Sequence, residues 1–96
     1  MTTVFRVLSD SQTISVNNSS DRVPLADVPE FDGVVRLRAT FGGFVRFGNS
    51  SVVSDADGIP VTTAIEYLAI PRSATHIAFF IPGNNGDLIV TTGLVT

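Results

Sequence analysis

Val34-Val35-Arg36-Leu37-Arg38-Ala39-Thr40-Phe41-Gly42-Gly43-Phe44-Val45-Arg46-Phe47-Gly48 alternates apolar and polar side chains on both sides of a Gly-Gly pair. Alternation with a period of two belongs to a strand with one buried face, and two such runs joined by glycines predict a β-hairpin. The register can be tested. A two-residue loop would pair Phe41 with Phe44 and bury Arg46 beside Leu37, Ala39 and Phe41. An odd-length loop instead gathers Leu37, Ala39, Phe41, Val45 and Phe47 on the core face, with Arg36, Arg38, Thr40 and Arg46 opposite. The odd loop is therefore expected, and three of the six arginines then share one solvent face.

Working outward, the same strand chemistry recurs. Residues 2–8 and 12–16 read as strands joined by a turn at Asp10-Ser11, and residues 61–70, 75–81 and 87–95 as three more, separated by Pro- and Gly-rich links. The run 75–81 has no polar alternation after His76, which predicts a central strand or one lying under a partner. Residues 17–33, with Pro24 and Pro29, read as a long irregular arm with room for one helical turn around Leu25–Val28. Val, Ile and Thr supply 30 of the 96 residues and Ala, Leu, Glu, Lys, Gln and Met only 17, which favours strands over helices. The expected fold is all-β: a single domain over 1–96, built as a small sandwich or barrel of about seven short antiparallel strands.

Charge and composition narrow the chemistry. The formal net charge is −3, and all six basic residues are arginines, so no bulk attraction to nucleic acid or an anionic membrane is expected. Cysteine is absent, which removes disulfides, thiolate metal sites and thiol catalysis. Residues 1–6 lack the features of a signal peptide, so the chain is expected to be made and kept in a cytosol, with the sequons at Asn17, Asn18 and Asn49 unused. His76 stands without a partner in sequence and reads as a structural histidine. Asp55-Ala56-Asp57-Gly58 begins like a calcium loop but lacks the later ligands, so an Asx turn is expected. Gly42-Gly43 and Gly83-Asn84-Asn85-Gly86 lack the context of a phosphate loop, and Glu30 and Glu66 form no evident acid/base pair. Neither catalysis, a cofactor nor a metal is expected. Arg36, Arg38 and Arg46 are the candidate contact residues, because arginine pairs bidentately with carboxylates and is enriched at interfaces where lysine is depleted.

Val45-Arg46-Phe47-Gly48, Ile65-Glu66-Tyr67, Ile70-Pro71, Thr75-His76-Ile77-Ala78 and Gly86-Asp87-Leu88-Ile89-Val90-Thr91-Thr92-Gly93 together resemble small virion proteins of tailed double-stranded DNA bacteriophages. The resemblance covers about half the chain. It implies a β-sandwich structural component, foremost a head decoration or cement protein that clamps neighbouring capsid subunits. The alternatives are a head-tail joining or tail component and, further off, a glycan-binding module, against which stand the absence of Trp and the single Tyr67. The major capsid protein or another virion protein is the implied partner, a homo-oligomer, with a trimer favoured, the implied state, and the virion the implied location.

Overall fold

The structure is a computed structural model that describes residues 5–29 and 33–95. Among the described residues nine strands form two antiparallel sheets: β1 (Phe5–Val7), β2 (Gln12–Asn17), β3 (Ser20–Pro24), β4 (Gly33–Ala39), β5 (Gly43–Gly48), β6 (Ile59–Val61), β7 (Glu66–Ala69), β8 (His76–Phe80) and β9 (Asn85–Val95). The first sheet runs β1-β9-β4-β7, with β2 also on β9; the second runs β3-β8-β5-β6. The expected all-β sandwich is the observed architecture, and among the described residues no helix is long and apolar enough to cross a membrane.

The pairings nest: β1 and β2 with β9, β3 with β8, β4 with β7, and β5 with β6. A single antiparallel ribbon has folded over on itself, which is the topology of a jelly roll. Alternation does the rest. Ile14, Val16, Val35, Leu37, Ala39 and Leu88 from one sheet meet Val45, Val61, Ile77 and Phe79 of the other, with Ile81 just past β8, in one buried core. As anticipated, residues 75–81 form a central strand, since β8 lies between β3 and β5.

Four expectations change. Residues 5–17 do not form a hairpin: β1 and β2 lie end to end along β9, with a register that shifts from Val7↔Gly93 to Gln12↔Val90. Ser9 and Asp10 are the two extra residues, so Asp10-Ser11 belongs to a bulge rather than a turn; residues 2–4 of the expected strand lie outside the described residues. The arm at 17–33 contains β3, an edge strand closed by Pro24, a position where a missing N–H is tolerated. No helical turn forms at Leu25–Val28, where Asp27 takes a positive φ of 53°. Residues 61–70 divide between β6 and β7, in different sheets.

The fourth correction concerns residues 34–48. They form two good strands but no hairpin, because β4 lies in the first sheet and β5 in the second. Thr40 to Gly42 carry the chain from one layer to the other. Leu37, Ala39 and Val45 are buried and Phe47 packs against the core, as the alternation required. Phe41 is instead 44% exposed, since the period of two holds only within a strand and the chain has already left β4. Gly43 is where this crossing comes close to β8: a Cβ there would run into the Phe80 carbonyl oxygen.

Candidate functional site

Because β4 and β5 belong to different layers, their outward side chains point to opposite sides of the sandwich. Arg36 and Arg38 stand on the outer face of the first sheet and Arg46 on that of the second. The three candidate contact residues do not share a face.

The second sheet's outer face is closed by the chain itself. Residues 49–58, the link between β5 and β6, form a strap across it. Ser54, 2% exposed, donates its hydroxyl to the Phe44 carbonyl on β5 at 2.9 Å and its N–H to Ser20 Oγ on β3 at 2.9 Å. Phe44, Phe80 and Ser20 are paired neighbours across β5, β8 and β3, so the strap lies over β8. Val52 packs down on Gly48, where an added Cβ would stand 2.9 Å from it. Ala78, on the outward side of β8, is fully buried.

Arg46 serves this strap, donating from a guanidinium nitrogen to Asp55 Oδ1 at 3.0 Å. The same carboxylate oxygen accepts the Asp57 N–H at 2.9 Å, and the Asp55 carbonyl accepts the Gly58 N–H at 2.9 Å. Residues 55–58 are therefore an Asx turn, as their sequence indicates. Arg46 has its carboxylate within this chain, and the ion pair is half exposed.

Among the described residues, no such strap covers the first sheet's outer face. Arg36 sits between Thr91 on β9 and Tyr67 on β7, and Arg38 is paired with Ile89. Phe5 reaches over Gly93 from β1: an added Cβ on that glycine would stand 2.6 Å from the ring's Cζ. The Phe5 ring lies with its centroid 5.3 Å from that of Tyr67, tilted by 60°, and 5.4 Å from the Arg36 guanidinium carbon. These are ring-ring and cation-π distances, and they hold Arg36 in place without neutralising it. Next to this cluster is an open depression of about 160 Å³ lined by Arg36, Arg38, Ile65, Ile89 and Thr91. Thr91 Oγ1 is 2.6 Å from Ser11 Oγ, which ties one rim to the bulge between β1 and β2. Ile65, Tyr67 and Val7 are each more than half exposed.

Neither Arg36 nor Arg38 has an ion pair among the described residues. Asp87 shares their face, paired with Ser15 and bonded through its backbone to Thr40. Among the described residues, the charged side chains Arg36, Arg38 and Asp87 on this face sum to +1, in a chain whose net charge is −3.

The other sequence candidates stand apart. His76 Nδ1 is 2.9 Å from Thr75 Oγ1, and the Glu66 carboxylate accepts the Thr62 N–H at 2.8 Å; Glu30 lies outside the described residues. No group of three or more metal-ligating side chains occurs among the described residues. Sequence reading missed Phe5, Ile65 and Tyr67. Period-two spacing puts Ile65, Tyr67 and Ala69 on one side, but only the strand order brings that side next to β4. Compared with family models, with curated proteins and with solved structures, the chain matches none.

Proposed function

We propose that this chain is a structural protein of a tailed double-stranded DNA phage virion, a decoration or cement subunit that clamps neighbouring capsid subunits. One observation carries the reading. One side of the sandwich carries the chain's own strap, and the other presents aromatic, aliphatic and arginine side chains that nothing among the described residues covers. Small domains rarely leave such a mixed surface open unless something docks on it, and Tyr and Arg are the residues enriched at docking surfaces. The sequence resemblance supplies the virion setting, and jelly rolls recur among viral shell domains. The clamp works through the sandwich, a rigid body that offers one fixed face to its neighbour.

Mixing the purified protein with capsids of its own phage and sedimenting the mixture tests this. Saturable occupancy of heads is the expected result. Recovery with tails alone would move the protein to the tail, and recovery with neither would overturn the virion assignment.

A further inference from the structure

The depression on the open face is smaller than a typical small-molecule site. Sites for small molecules run to roughly 300–1,000 Å³, whereas this one has about 160 Å³, room for a single side chain. Its chemistry is specific. Arg36 and Arg38, which have no ion-paired carboxylate among the described residues, line it together with Ile65 and Ile89, so a group that fits carries negative charge at the end of a short apolar stem. Arg36 and Arg38 are two apart on one strand face, about 6.6 Å along the chain, which is also the spacing of alternate side chains in an extended partner.

We propose that Arg36 and Arg38 receive carboxylate side chains from an extended acidic segment of a partner protein, one of them seated in the depression between Ile65 and Ile89. The inference rests on the reading of this face as the docking side, and it is independent of the partner's being a capsid protein. Guanidinium-carboxylate pairs are charge-assisted and can be bidentate, so each pair contributes both affinity and orientation. Tyr67, with its ring held beside Phe5, forms the rim against which the partner backbone lies. Arg46 takes no part, because Asp55 already occupies it.

The test is a titration of the ¹⁵N-labelled chain with the peptide acetyl-Glu-Val-Glu-Val-Glu-amide, against acetyl-Lys-Val-Lys-Val-Lys-amide and glucuronate. The glutamate peptide should produce saturable shifts confined to residues 36–38, 65–67 and 89–91. Arg38→Ala should weaken it by roughly tenfold, with Arg38→Lys intermediate and Arg46→Ala like wild type. Arg38 is exposed, so the variant folds, and its undisturbed spectrum elsewhere verifies this. An equal response to the lysine peptide, shifts on the strap side, or saturation by glucuronate at lower concentration than the peptide would each overturn the proposal; the last would mark an acidic-sugar site. Capsid sedimentation separates the two readings. If Arg38→Ala binds capsids like wild type, the docking chemistry is wrong and the virion role stands. If wild type responds to the glutamate peptide but ignores capsids and tails, the reverse holds.

Discussion

Gly93 sets the shape of the open face. A Cβ there would meet the Arg6 carbonyl oxygen as well as the Phe5 ring, so Gly93→Ala must push β1 away from β9 or turn the ring off its seat. Forced overpacking of this kind typically costs about 1–3 kcal/mol. The urea midpoint should fall accordingly, and the aromatic chemical shifts of Phe5 and Tyr67 should move with it. Gln12 works in the opposite direction. Its Oε1 is buried with no hydrogen-bond partner among the described residues. An unpaired buried acceptor is a standing cost, and Met keeps the length of the side chain while removing the polar atom. Gln12→Met should therefore raise stability by about 1 kcal/mol, and a lowered urea midpoint would contradict this account of the residue.

At the scale of the element, the strap depends on Ser54. Ser54→Ala removes the bond to the Phe44 carbonyl, and Ser20→Ala removes the acceptor of the Ser54 N–H. Each should cost about 0.5–1.5 kcal/mol, and the double variant should fall short of the sum because both bonds anchor one segment. Hydrogen exchange should quicken in residues 50–57 before it does in β8. The strands themselves were legible, since β4, β5, β8 and β9 announce themselves through apolar runs and alternation. Their partners were not. Neighbours in sequence usually pair in space, and that expectation made a hairpin of β4 and β5 and another of β1 and β2. Nothing local in Thr40-Phe41-Gly42 separates a chain that turns back within a sheet from one that crosses to the other. For the same reason Arg36 and Arg38 could be placed together by their spacing of two, while Arg46 could not: its face depends on the sheet to which β5 belongs.

Across the whole molecule the core is a single layer between the sheets, and Phe79 is its largest fully buried side chain. Phe79→Ala should cost about 3–5 kcal/mol, against the 5–15 kcal/mol that a typical domain has in total, and calorimetry would register it as a lowered melting temperature. The expected trimer is open to sedimentation equilibrium on the isolated protein, where a monomer at micromolar concentration would count against it. The nesting of the ribbon also bears on how the molecule is made. Its innermost pair, β5 with β6, closes the shortest loop, and each pair outside it must close a longer one, ending with β1 and β2 on β9. Loop entropy favours that sequence of events. Folding should start at the strap hairpin and zip towards the chain ends, so Val61→Ala should slow folding, whereas Ile14→Ala should chiefly hasten unfolding, a contrast that a pair of chevron plots would display. On the ribosome the first sheet has to wait: its central strand is residues 85–95, so the open face exists only after nearly the whole of the described chain has been synthesised, and no partner can engage it earlier.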